Sequence, residues 1–131
     1  MKKLLFSFLF VISFHFIWAQ EDVIVIEKIH QYESFESFIK TGVTLVFFHA
    51  SHCSACEMQM PAIEMLALNR EMLSIVRIAT IDFDEDKALF DKLNINSFPL
   101  IVIYKEGKEQ SSLSGGGHSQ QELVNLILDQ H

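Results

Sequence analysis

The stretch Val43-Thr44-Leu45-Val46-Phe47-Phe48-His49-Ala50-Ser51-His52-Cys53-Ser54-Ala55-Cys56 decides the fold of this chain. The run 43–48 is too uniformly apolar for a strand with one wet face, so it is expected as a central strand buried on both sides. The only two cysteines, Cys53 and Cys56, follow directly. From Ala55 to about Met72 the pattern turns helical, with Met60, Ile63 and Ala67 three and four residues apart. Pro61 inside it removes one backbone hydrogen bond and should kink the helix. Two thiols this close either react with each other or share a metal. A disulfide closing so short a loop constrains the unfolded chain little, which argues against a purely structural bridge.

Working outward, 23–29 is β-branched and reads as a first strand. A short helix over 33–40 follows, with Phe35, Phe38 and Ile39 on one side and Gly42 ending it. Residues 75–81 read as a second buried strand, and 84–86 supply capping aspartates for a helix over 87–93. A further strand covers 100–104, and Glu106-Gly107-Lys108 turns it into a last short strand over 109–113. The Gly115-Gly116-Gly117 loop leads to a helix starting at Ser119 or Gln120 and running to Asp129, with Ser119 and Glu122 spaced as a capping box. No internal repeat interrupts this order.

At the N-terminus, Lys2 and Lys3 precede an apolar run from Leu4 to Trp18 that closes on Ala19, the layout of a secretory signal. Residues 1–19 are expected to be a signal peptide cleaved after Ala19, with an uncleaved membrane anchor as the alternative. Residues 20–131 suffice for one compact domain. The net charge of −7 becomes more negative once Lys2 and Lys3 leave, and no basic cluster compensates, which argues against nucleic acid or anionic lipid as a partner.

The soft ligands His49, His52, Cys53, Cys56, Met58 and Met60 invite a copper reading. Methionines on a helix are ordinarily core, however, and what remains falls short of a closed four-ligand zinc site. Asp82-Phe83-Asp84-Glu85-Asp86 starts like a calcium loop, but Lys87 stands where glycine is required and Leu93 where glutamate is required. The triple glycine lacks the context of a phosphate loop. His30, His118 and His131 show no partner in the sequence. No metal and no cofactor is expected.

The order β-α-β-α-β-α-β-β-α, with the cysteine pair at the junction of buried strand and kinked helix, resembles the thioredoxin family. Cys53 and Cys56 match its redox pair, Pro61 its helix proline, and Phe98-Pro99 its cis-proline dipeptide. Ile81-Asp82 with residues 84–93 matches its third strand and helix, Glu106-Gly107-Lys108 its hairpin turn, and Gly116 the glycine of its partner groove. The resemblance implies an α/β thioredoxin fold, a central mixed β-sheet flanked by helices on both faces. It also implies a monomeric thiol-disulfide oxidoreductase with protein disulfide or dithiol substrates. With the signal, it implies a periplasmic location and a membrane-bound electron donor. Copper carriage or a silent binding module on the same scaffold are the alternatives.

In that reading Cys53, at a helix N-terminus, is the nucleophile and Cys56 resolves the mixed disulfide, because unpaired backbone N–H groups and the helix dipole favour a thiolate at Cys53. Phe98, Pro99 and Gly116 would receive the substrate backbone. The departures are equally specific. His52 stands for the tryptophan before the first cysteine and would tune its thiolate, and His49 stands for an aromatic. Ser54-Ala55 replaces Gly-Pro, and Leu100 replaces a threonine. The family's buried aspartate and its lysine partner are assigned to Phe47 and Ile78, so the usual proton relay is missing. His52, His49, Glu57 or water are left to deprotonate Cys56. The lack of an inserted helical domain favours reduction over oxidation as the direction of electron flow.

Overall fold

The computed structural model describes residues 22–131, so the expected signal segment lies outside the described residues. The strands are β1 (Ile26–Lys28), β2 (Val43–His49), β3 (Val76–Asp82), β4 (Leu100–Lys105) and β5 (Lys108–Ser114). The helices are α1 (Tyr32–Ile39), α2 (Ser54–Ala67), α3 (Lys87–Lys92) and α4 (Gln120–Leu128). The sheet order is β1-β3-β2-β4-β5, which puts the apolar run in the middle. β2 pairs parallel with β3 and antiparallel with β4, and every residue from Val43 to Phe48 is buried. Alternation sends Leu45 and Phe47 to one face, against α2 and α4, and Val46 and Phe48 to the other, against α1 and α3. This is the expected mixed sheet with helices on both faces.

Several expectations shift in detail. β1 is confined to three residues, because only Ile26–Lys28 pairs with β3; Ile24 bonds instead to the carbonyl of Ala67 at 2.8 Å. The helix expected to run to Met72 ends at Ala67, and a 3₁₀ turn, Arg70–Met72, follows it. Asn69 makes the break: its backbone is extended and its Oδ1 accepts the Glu71 N–H, a local turn that competes with helix. Pro61 sits within α2, which runs unbroken around it. Asp86 occupies the N-cap of α3 but makes no side-chain cap; its carboxylate is 2.8 Å from His30 Nδ1 instead.

Other local readings hold. Glu106 and Gly107 both have positive φ, as a two-residue type I′ hairpin requires, and Lys105 faces Lys108 across it. Ser119 caps α4 by accepting the Glu122 N–H at 3.2 Å. Arg77 on β3 donates to the carbonyls of Phe38 and Thr41, satisfying the C-terminal end of α1 that has no intrahelical partners.

Candidate active site

Cys53 is the N-cap of α2. Its backbone is extended, its Sγ accepts the Cys56 N–H at 3.2 Å, and its carbonyl accepts the first helical N–H, from Glu57, at 3.0 Å. A sulfur so placed faces unpaired N–H groups of the first turn, where negative charge is favoured. Cys53 and Cys56 form a disulfide with a Cα–Cα separation of 5.2 Å, within the normal range. The two sulfurs are unequal in access. Cys56 is 2% exposed and belongs to the core that contains Phe47 and Ile63, whereas Cys53 is partly exposed at its edge.

Three loops surround this disulfide and are tied to one another. His52, just before Cys53, is exposed and has a positive φ of 51°, which turns the chain from β2 into α2. The preceding Ser51 donates its N–H to Asp84 Oδ2 at 2.6 Å, and the Asp84 N–H is held by Asp82 Oδ1, so this loop is fixed to the one after β3. From that second loop, Phe83 packs on Phe98, with ring centroids 5.1 Å apart. Phe98 is 36% exposed and Pro99 is buried, and the bond between them is cis. The Pro99 carbonyl in turn accepts the Gly115 N–H at 3.0 Å.

Gly116 closes the ring against α2. A Cβ there would collide with the Ala55 carbonyl oxygen and stand 3.2 Å from its carbon. The backbone of Ala55, between the two cysteines, thus leaves room only for glycine here. Two residues on, His118 is gripped by Gln59, a residue that sequence reasoning passed over. Gln59 Nε2 donates to the His118 carbonyl and Oε1 accepts the His118 N–H, both at 2.9 Å. The His118 ring is 3.2 Å from the Glu122 carboxylate through Nδ1 and 2.9 Å from the Ser114 carbonyl through Nε2. The bond to Ser114 and the carboxylate of Glu122 hold its pKa above the ordinary histidine value, against the effect of desolvation.

The resemblance puts the family's aspartate and lysine at Phe47 on β2 and Ile78 on β3; both are fully buried and neither ionises, so no acid–base pair stands there. Across the parallel pair Phe47 faces Thr80 and Leu45 faces Ile78. His49, two residues along the same face of β2, stacks on Phe47 at 5.3 Å. Burial pushes its pKa down, while the carboxylates of Asp82 and Glu85 pull the other way. It lines a cavity of about 30 Å³ with His30, Thr80, Asp82 and Glu85, room for one water. Glu57, the remaining candidate base, is exposed in the first turn of α2.

His30, Glu85 and Asp86 bring one ligand atom each within 4.8 Å of one another. His30 and Glu85 are exposed, and the geometry is accounted for by the hydrogen bond between His30 and Asp86, which joins the start of α1 to the start of α3.

Against known proteins, the thioredoxin family model matches residues 26–129, nearly all of the described chain. This chain belongs to the thioredoxin family. Thioredoxins of Chlamydia caviae and Staphylococcus aureus are 33% and 31% identical to it, over 79% and 74% of this chain and 97% and 89% of theirs. Among solved structures, a thioredoxin mutant from Halobacterium salinarum superposes with a TM-score of 0.69 at 24% identity, over 86% of this chain and 94% of that one. A Trypanosoma brucei brucei thioredoxin gives 0.68 at 23%, over 86% and 98%. As a thioredoxin-family protein with the Cys53–Cys56 pair, this chain is a thiol-disulfide oxidoreductase, of a family that generally acts on protein disulfides.

Proposed function

We propose that this thioredoxin-family protein is exported, works as a monomer outside the cytoplasm, and reduces protein disulfides with electrons from a membrane-bound donor. The leader-like sequence of 1–19 supports export. The observation that carries the chemistry is the unequal access of the two sulfurs, with Cys53 partly exposed at a helix N-terminus and Cys56 buried one turn on.

The Cys53 thiolate attacks one sulfur of a substrate disulfide. That S–S bond breaks, a Cys53–substrate disulfide forms, and the other substrate sulfur leaves as a thiolate. Cys56, once deprotonated, attacks Cys53 Sγ; the second substrate thiolate leaves and the Cys53–Cys56 disulfide closes. Two electrons pass to the substrate, and the donor restores the dithiol. Phe98, Pro99 and Gly116 receive the substrate segment beside the reacting sulfur, and His52 biases Cys53 toward the thiolate. His49 is favoured over Glu57 as the route for the Cys56 proton, since it stacks on Phe47, a core neighbour of Cys56, beside a water-sized cavity.

Trapping tests the order of attack. Cys56→Ser is expected to accumulate mixed disulfides with exported proteins through Cys53, and Cys53→Ser is not. Equal trapping by both variants would overturn the assignment.

A further inference from the structure

Gln59 is a fully buried amide that the thiol chemistry does not use. It lies three residues after Cys56 and so on the same face of α2, where the neighbouring core positions are the apolar Ile63 and Leu66. Burying an amide is unfavourable unless its donors and acceptors are met. Here both ends of the side chain meet one residue, His118, through its N–H and its carbonyl. An apolar side chain of similar size would fill the space but leave both of those backbone groups unpaired.

What Gln59 holds is the stretch between Ser114, where β5 ends, and Gln120, where α4 begins. Neither sheet nor helix bonds fix this segment, and Gly115 and Gly117 both have positive φ. It is pinned at one end by Gly115 N–H on the Pro99 carbonyl and at the other by Gln59 on His118. Between those pins Gly116 presses on Ala55. The distance from Cys53 to Gly116, and through Gly115 to Pro99, therefore depends on a side chain one turn behind the resolving cysteine.

We propose that Gln59 is a positioning residue for protein substrates: it sets the Gly115–His118 segment at the height at which an extended substrate chain can lie beside Cys53. This rests on the reading of Phe98, Pro99 and Gly116 as the substrate-lining residues. Small displacements of a substrate from the attack geometry cost large factors in rate, but a small disulfide with no flanking chain does not use the groove. Losing Gln59 thus separates two substrate classes.

The test compares wild type and Gln59→Leu with insulin as the protein disulfide and 5,5′-dithiobis(2-nitrobenzoate) as the small one. Gln59→Leu is expected to raise KM for insulin about tenfold, about 1.4 kcal/mol, with kcat for insulin and the rate with the small disulfide within about twofold of wild type. Gln59→Glu supplies the second variant and a rescue. Ionised, it keeps only the bond from the His118 N–H; protonated, its hydroxyl donates to the His118 carbonyl as the amide did, and burial favours the protonated form. Its KM for insulin, taken relative to Gln59→Leu at the same pH, should approach the wild-type value as pH falls.

An unchanged insulin KM in both variants overturns the proposal. Equal losses with insulin and the small disulfide also overturn it, since that outcome marks general damage to α2. If wild type itself fails to prefer insulin over the small disulfide, the substrate-groove reading fails first, a result separable from the Gln59 variants.

Discussion

Replacing Gly116 by alanine adds one methyl group at a position where two opposing effects can be weighed. Gly116 does not have the positive φ of Gly115 and Gly117, so its backbone suits alanine without left-handed strain. Elsewhere, such a change stabilises a protein by about 0.4–1 kcal/mol by restricting the unfolded chain. Here the new Cβ would collide with the Ala55 carbonyl oxygen and stand 3.2 Å from its carbon and 3.3 Å from its Cα. All three are backbone atoms of the first turn of α2 and cannot swing aside as a side chain would. Forcing a methyl into such a contact costs about 1–3 kcal/mol, which exceeds the gain. The net expectation is destabilisation by about 1–2 kcal/mol, a fall of about 0.5–1 M in the urea midpoint for a slope of about 2 kcal/mol/M. The loop should also lift from Ala55 and raise KM for a protein disulfide. A Gly116→Ala midpoint equal to or above wild type would refute the steric argument.

The His118 ring makes stability depend on pH. Its folded pKa is raised above the unfolded value of 6.5, first by the Ser114 carbonyl and then by Glu122, so the stabilisation is full below about pH 6.5 and is lost as pH rises through the folded value. Unfolding free energies from urea curves of wild type and His118→Asn should differ most below about pH 6.5, by a few tenths of a kcal/mol, and draw together as pH rises; a gap that grows with pH contradicts this sign. For His52, replacement by tryptophan should lower the reduction potential by about 30 mV for each unit by which the Cys53 pKa rises. The difference needs both a charged imidazole and an ionised Cys53, so it should fade as pH rises past the histidine range, and glutathione equilibria that coincide for both proteins would leave His52 without an electrostatic role.

The elements that sequence patterning captured are those whose cause is local. The run at 43–48 is apolar at every position and could only be a central strand, Ser119 and Glu122 carry the helix start in their spacing, and Glu106-Gly107 carries a hairpin turn. The failures share a non-local cause. Gln59 is polar in a helical pattern and reads as solvent-facing; only the return of the chain at His118 buries it. Asp86 has the residue type of a cap, but His30, on the far side of α1 in sequence, takes its carboxylate. Gly116 also touches Ala55, a contact that only the return of the chain after β5 creates.

The aromatic contacts at the end of the sheet have a consequence for how such a protein can diverge. The disulfide is rooted in the core between the sheet and α2 with α4, through Cys56, Phe47 and Ile63. Phe98 leans on Phe83 and Phe90, and Phe90 meets Phe48, so the recognition edge is rooted in the other core, on the opposite side of β2. The two walls beside the disulfide are therefore fixed by different sets of packed side chains, divided by one strand: Phe98 by the layer under α1 and α3, and the thiols with the Gly116 loop by the layer under α2 and α4. A change of packing in the layer under α3 can shift the Phe98 wall while the thiols and the Gly116 wall stay where they are.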